Sequence, residues 1–385
     1  MTSAAARIRA ATCLDLPVGS PGGSVELFLD LYAGTAPLID ATAFMLQPIA
    51  AQSPAPPGVG LLPVDGKCIE GRRFWQYVDR LTHALTGHLA PDAVDVVHLQ
   101  HLAFGGTPAL RAALPHHPQI ALVHGTDLLF AETHPDQLQV LRDTAARADA
   151  IVVPTGAMAD RLRRLAPGVD SARIHHIAWG IPDHLHTATP ATTPSPDRVL
   201  RLLYAGRLSA EKGGSRLVSS LSGVRDVHLS IAAPEGEFDN LAPELDRSGI
   251  AFSYLGWLSR PQLWETFAGH DVLVMPSTTI EAMGLVALEA QACGLPVIYQ
   301  PVPGLRDALG DSALPTDFTS PAAVAKTLET FRSSADLRAE LRAGGRANAA
   351  NYSLARTAEQ LTQLGRELVA SRPCHSGAAR VRSLG

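Results

Sequence analysis

At 385 residues the chain is long enough for two domains with separate cores, and 46% hydrophobic, 18% charged and 5% aromatic residues are the composition of a soluble globular protein. A net charge of -5 favours neither nucleic acid nor an anionic membrane surface as partner, and no run reaches the roughly eighteen apolar residues of a membrane span. Cys13, Cys68, Cys293 and Cys374 are widely spaced without a C-x-x-C pair, which predicts reduced thiols rather than a disulfide framework or a zinc knuckle.

Met1 to Cys13 carries Arg7 and Arg9 and no signal-type apolar core, so a cytoplasmic location is expected. A strand from Ala6 to Leu14 leads into the turn Pro17 to Ser24 and a helix from Val25 through Leu31. A glycine-rich turn at a helix start, here with Gly22 and Gly23, lets a ligand approach backbone closely, although the dinucleotide fingerprint G-x-G-x-x-G is absent. Turn and binding loop both remain open readings. Gln47 to Gly66, rich in Pro and Gly, reads as loops and short edge strands. Arg73 to His88 is predicted as a helix with Phe74, Tyr77, Leu81 and Leu85 on one side.

The buried-type strands Asp95 to Leu99 and Ile120 to His124 flank a predicted helix, Thr107 to Leu114, and such alternation means a parallel sheet covered by helices. Ligands of these sheets sit beyond the carboxyl ends of the strands, where His98, His101, His124, Gly125, Thr126 and Asp127 fall. His98 and His101 lack nearby Cys or carboxylate partners and make a poor metal pair, so core or loop histidines are the simpler reading and no metal is expected. Ala148 to Thr155 is the last strand of this half, followed by a helix from Ala157 to Leu165, and Thr187 to Asp197, rich in Pro and Thr, reads as a linker.

The second half begins with the strand Val199 to Ala205 and the loop Gly206 to Gly214. This loop carries Arg207 and Lys212, one of only three lysines beside Lys67 and Lys326. Two cations on a glycine-bearing loop at a strand end suit a diphosphate, since one offers a fork of donors and the other a point charge. Val227 to Ala233 is a further strand. After the buried run Asp271 to Pro276, a helix is predicted from Gly284 to Cys293, closed by Gly294 and Pro296. Glu281 lies just ahead of it. Glu289 sits two turns in, beside the inward stripe of Leu285, Leu288 and Ala292, so its carboxylate is expected to be partly withdrawn from water and to need donors. Sugar or ribose hydroxyls would supply them, and free N–H groups at Met283, Gly284 and Leu285 would suit a phosphate or a sugar hydroxyl. Two solvated glutamates on a surface helix satisfy the same spacing. Ser353 to Val369 reads as a final amphipathic helix capped by Ser353, with a frayed tail beyond 370.

Glu281 to Glu289, with Pro276-Ser277 before and Ala290 to Pro296 after, resembles the E-x7-E segment of the retaining glycosyltransferases of family 4. The loop 206–213 resembles that family's G-R-L-x-x-E-K-G residue for residue, and Gly22-Gly23 and His124 to Asp127 resemble two more of its segments. Trp179-Gly180-Ile181-Pro182 departs from the family's Asn-Gly-Val-Asp, Ala232-Ala233-Pro234 from its frequent Gly-x-Gly, and Asp307 from its commoner Glu. The resemblance covers most of residues 14–370. It implies the GT-B fold: two Rossmann-like, doubly wound α/β domains facing across a cleft. The acceptor-binding domain would be 1–186, the linker 187–198, the nucleotide-sugar domain 199–350, and 351–370 a helix crossing back to the first domain.

It further implies transfer, with retention, from a nucleotide diphosphate sugar to a hydroxyl of a small soluble acceptor, for which small polyols, aminocyclitols or other natural-product intermediates, and soluble sugars are all open. UDP is the first expectation by family frequency, with no cofactor besides the co-substrate and no metal. The chain contains no Asp-x-Asp. In this reading Arg207 and Lys212, with the N–H groups near Met283, Gly284 and Leu285, stabilise the leaving diphosphate. Glu281 binds a donor hydroxyl beneath the anomeric centre, Glu289 the ribose diol and His124 the sugar. Phe252 to Leu258 resembles the family's strand and loop that hold the nucleobase, with Trp257 and Leu258 at the base edge, and Ser259 to Ala268 the helix after it; Gly22, Gly23 and Gly206 line the donor, and His101 and Asp127 face the acceptor. Three other readings compete. An inverting transferase would want a histidine in Pro17 to Ser24, which has none. A GT-B nucleotide-sugar epimerase would not be expected to carry this E-x7-E text. A non-catalytic nucleotide-sugar-binding protein would fit had Glu281, Arg207 or Lys212 been missing.

Overall fold

The computed structural model describes residues 8–48, 55–187 and 199–372, so the expected linker, apart from Thr187, and the tail beyond Arg372 lie outside the described residues. Two parallel sheets carry the chain. The first has β1 (Ala10–Pro17), β2 (Ala41–Leu46), β3 (Val59–Leu62), β4 (Val96–Leu99), β5 (Gln119–Leu122), β6 (Ala150–Val153) and β7 (Ile174–His176), in the order β3-β2-β1-β4-β5-β6-β7. The second has β8 (Leu200–Ala205), β9 (Val227–Ala232), β10 (Ala251–Gly256), β11 (Val272–Met275), β12 (Val297–Tyr299) and β13 (Leu314–Pro315), in the order β10-β9-β8-β11-β12-β13. Both are doubly wound α/β domains, as the GT-B expectation required. Strands such as Ala150–Val153 and Val272–Met275 are buried at every position, the mark of a sheet covered on both faces. Strand order reverses between β1 and β4 and between β8 and β11. At such switch points the loops beyond the carboxyl ends diverge and leave a crevice.

The helix Leu354–Ser371 returns to the first domain. Its N-cap, Ser353, accepts a hydrogen bond from the Arg356 N–H at 3.2 Å. Ile181 N–H donates to Tyr352 O (2.9 Å) and Leu354 N–H to Ile181 O (3.0 Å), while the Thr357 hydroxyl donates to Ala178 O (2.8 Å) and accepts from Gly180 N–H (2.9 Å). Leu354, Leu361 and Leu364 are buried in the same apolar cluster as Trp179, Ile181 and Val96.

Several elements depart from the sequence reading. The first strand runs from Ala10 to Pro17, past the expected end at Leu14, while the expected start at Ala6 lies outside the described residues. The region from Gln47 to Gly66 contributes β3, a short edge strand of the kind expected there, paired in parallel with β2; β2 itself was absent from the expectations. Thr126–Thr133, Pro135–Arg147, Glu235–Ser248, Pro321–Ser333 and Ala335–Ala349 are helices that the pattern did not reveal.

Candidate active site

The glycine-bearing loop after β8 is folded tightly against the segment that follows β11. Gly213 has φ 76°, and a Cβ there would lie 2.2 Å from Pro276 O, so a side chain would force the two segments apart. Thr278 N–H donates to Glu211 O (2.8 Å) and its hydroxyl to Ala210 O (3.1 Å), stitching the loop in place. The loop delivers Lys212 onto Glu281: Nζ lies 2.6 and 2.8 Å from the two carboxylate oxygens, and the Ser277 hydroxyl donates to Oε1 at 2.8 Å. Arg207 Nη2 donates to Glu211 Oε1 at 3.1 Å, and Tyr204 ties the Arg207 carbonyl through its hydroxyl.

Glu281 is 7% exposed and its main chain is fixed as firmly as its carboxylate. Its N–H donates to Pro303 O at 3.1 Å, and a Cβ at Gly304 would sit 1.6 Å from Glu281 O, so the loop bearing Gly304 can lie there only without a side chain. The helix Leu285–Ala292 begins just beyond, with Gly284 at its N-cap. Among the described residues the N–H groups of Met283, Gly284 and Leu285 have no hydrogen-bond acceptor, which leaves the positive end of the helix open toward the cleft.

Glu289 is 4% exposed, as its place beside the inward stripe predicted, and it does have donors. They are protein groups that the sequence reading had given no role: Arg260 Nη2 reaches Oε1 at 2.6 Å and the Trp264 indole N–H reaches Oε2 at 2.9 Å. Arg260 also bonds Asp30 of the helix Gly23–Tyr32, in the other domain. A carboxylate offers about four acceptor positions, so about two remain for a ligand.

On the opposite wall His124 follows β5. Its ring stacks on Trp179, with centroids 5.5 Å apart and planes 20° from parallel, and the Trp179 indole donates to Val123 O at 3.1 Å. The tryptophan that replaces the family's Asn is therefore a buried support for the histidine. Burial pushes the His124 pKa down to about 3, which keeps the ring neutral, and its Nε2 has no partner among the described residues. His101, 4.8 Å from His124 between centroids, is held well below the usual histidine range, first by burial and then by its neighbours His124 and Lys67. Phe104, at φ 68°, packs edge-on against His101 and Phe130. Lys67 Nζ lies 5.3 Å from the Phe104 ring centroid and donates to Asp15 O at 2.7 Å. Lys67 had been marked beforehand only by the scarcity of lysine, and Phe104 and Phe130 by nothing.

One cleft of about 470 Å³ gathers these groups from both domains. It is lined by Gly22, Gly23, His101 and His124 from the first domain and by Gly206, Arg207, Lys212, Trp257, Leu258, Glu281, Met283, Gly284, Leu285 and Glu289 from the second. Trp257 stands at the rim, 42% exposed. Asp127 is the exception and corrects the expectation of an acceptor contact. It is fully buried, accepts a hydrogen bond from Leu102 N–H at 3.0 Å, and serves the packing behind the cleft wall. His98 likewise belongs to the core, bonded through Nδ1 to the Tyr32 hydroxyl at 2.8 Å. Among the described residues no group of three or more His, Cys, Asp or Glu is placed to hold a metal ion, and no helix is long and apolar enough to cross a membrane.

Residues 46–185 match the family model described as Glycosyltransferase Family 4, and residues 187–348 that described as Glycosyl transferases group 1. The chain is 31% identical over 308 residues to the D-inositol 3-phosphate glycosyltransferase of Saccharomonospora viridis, covering 74% of this chain and 68% of that protein. It is 27% identical over 311 residues to D-inositol 3-phosphate glycosyltransferase 1 of Catenulispora acidiphila, covering 73% and 74%. Among solved structures, sucrose-phosphate synthase from Thermosynechococcus elongatus superposes with TM-score 0.77 at 19% identity, over 95% of this chain and 100% of that one. Anabaena Alr3699/HepE in complex with UDP-glucose superposes with TM-score 0.70 at 16% identity, over 95% and 100%.

Proposed function

The chain belongs to the family-4 glycosyltransferases of GT-B fold, and from that premise we propose that it moves a sugar, with retention, from a nucleoside diphosphate sugar to a hydroxyl of a small polyol. The observation that carries this reading is the convergence of Arg207, Lys212, the open N–H groups before Leu285 and the carboxylate of Glu281 on one cleft. A departing nucleoside diphosphate needs its developing charge stabilised, and two cations with a helix tip supply this from the chain's own groups. Lys212 has three N–H donors and spends at most two on Glu281, so one can turn to a phosphate oxygen while the pair persists.

In the proposed step the bond between the anomeric carbon and the leaving phosphate oxygen breaks. The acceptor oxygen bonds to that carbon on the same face, and the acceptor's proton passes to the departing phosphate. Glu281 and the neutral His124 bind sugar hydroxyls, and Glu289 takes the ribose diol at its remaining acceptor positions. UDP is the nucleotide of choice, supported by the UDP-glucose held in the Anabaena structure. A cyclitol-type acceptor is supported by the names of the curated relatives. The test is to incubate the protein with UDP-, GDP- and ADP-sugars and a panel of polyols, following nucleotide release and the product anomer by NMR. Turnover with the donor's own anomeric configuration, lost in Glu281→Gln and Arg207→Ala, is expected. An inverted product, or unimpaired turnover in folded variants, overturns the reading.

A further inference from the structure

The donor end of the cleft holds a cluster that the catalytic reading does not use. Arg260 stands at the first turn of the helix Arg260–Phe267, fixed by a capping box in which Ser259 and Gln262 bond each other's groups, with Pro261 following. Trp264, four residues on, shares its helix face, and the guanidinium lies 5.2 Å from the indole centroid. The two side chains grip Glu289 from one side, one oxygen each, at 2.6 and 2.9 Å. The other end of the same guanidinium crosses to Asp30 of the first domain, on the helix that starts at the Gly22-Gly23 turn.

We propose that Arg260 is a positioning residue for donor binding: it orients Glu289 to receive the two ribose hydroxyls, and through Asp30 it makes that orientation depend on closure of the two domains. The inference rests on the reading that Glu289 binds the ribose diol. With one donor on each oxygen, the carboxylate is locked in plane and keeps one acceptor position per oxygen, spaced as a vicinal diol needs. The surroundings favour hydroxyl donors over an anion. The guanidinium bonds the two carboxylates Asp30 and Glu289, and a third, Glu26, also lines the cleft and feels the charge of Arg260. Burial raises the Glu26 pKa, against the pull of Arg260. Burial alone would weaken the charge on Arg260, and the Glu289 and Asp30 carboxylates more than restore it.

The experiment measures binding of UDP, GDP and ADP, each beside its 2′,3′-dideoxy counterpart, to the full chain and to Glu289→Gln, Arg260→Lys and Asp30→Asn, together with donor KM and kcat. Lysine keeps the charge that joins the domains but not the fork that sets the carboxylate plane. Arg260→Lys is expected to lose at least tenfold in its preference for the ribonucleotide, with most of the kinetic loss in donor KM. Asp30→Asn is expected to shift in the same direction by a smaller factor, and it tests the proposal independently if Arg260→Lys does not fold. A ribonucleotide preference lost in Glu289→Gln but intact in Arg260→Lys and Asp30→Asn overturns the proposal and leaves the ribose reading standing. A preference intact in Glu289→Gln, or absent from the unaltered chain, overturns the ribose reading and the proposal with it. Equal weakening of ribo- and dideoxynucleotide binding assigns Arg260 a merely structural role and overturns the proposal.

Discussion

Replacing Lys212 by Met tests the site where stability and catalysis meet. The substitution keeps the stem and removes two of the three side-chain hydrogen bonds to Glu281, leaving only that of the Ser277 hydroxyl. Stranding a buried charge costs about 3–5 kcal/mol in a dry interior. Here the Lys212 side chain is 31% exposed and water can take its place, so about 1–2 kcal/mol of folding stability is the reasoned loss. The loss in catalysis is larger: removing a preorganised donor from developing charge lowers kcat by about 10²–10³, or about 3–4 kcal/mol. Glu281→Gln placed on top removes the stranded charge, so the double variant regains roughly 1 kcal/mol of stability over the additive expectation while activity stays low. Urea unfolding gives the first quantity and a coupled assay of nucleotide release the second. A kcat within threefold of the unaltered chain would show that Lys212 does not stabilise the leaving group, and strictly additive stabilities that it does not offset the buried charge of Glu281.

Asp127 makes a separate test of burial. Its pKa is raised by desolvation from 3.8 to about 6, so its contribution to stability is fully present below about pH 4 and is lost as pH rises through 6, for a total of about 3 kcal/mol. Asp127→Asn should therefore gain stability relative to the unaltered chain as pH climbs from 4 to 7, and a pH-independent difference in unfolding midpoint contradicts this. His124, depressed to about 3 by burial, is already neutral across the working range. His124→Asn should lower kcat/KM by the same factor at pH 6 and pH 8, and a ratio that changes between them would show that the ring titrates there. Trp179→Ala removes a buried indole beneath that histidine and is expected to cost about 3–5 kcal/mol in chemical denaturation. A loss under 1 kcal/mol would mean that the stack contributes little.

The legible parts of this protein are those whose cause is local. Apolar runs such as Ala150 to Val153 announce strands buried on both faces, and the loop 206–213 carries its cations and glycines in one unbroken stretch. Glu289 was read as a withdrawn acid from its place beside an apolar stripe, and it is buried, but so is every residue from Ala287 to Ala292 rather than one face of the helix. Its partners were not legible: Arg260 is 29 positions from Glu289 and 230 from Asp30, and only the packing of three helices brings them together. Asp127 shows the converse, since a carboxylate beside a cleft-facing histidine reads as a ligand group until burial is known. Trp179 and Phe104 joined the cleft wall through turns whose direction sequence pattern does not encode. The helix Glu235–Ser248 was hidden by Pro243 within it, and Thr126–Thr133 begins after Gly125 with no side-chain cap to mark its start.

In the proposed complex the diphosphate of the donor lies between the loop after β8 and the tip of the helix Leu285–Ala292. A crystal structure with a bound UDP-sugar, or with UDP alone, measures this directly. Phosphate oxygens are expected within about 3 Å of Arg207, of Lys212 Nζ and of at least one N–H among Met283, Gly284 and Leu285. A diphosphate bound elsewhere in the cleft, with those groups turned to solvent, contradicts this placement.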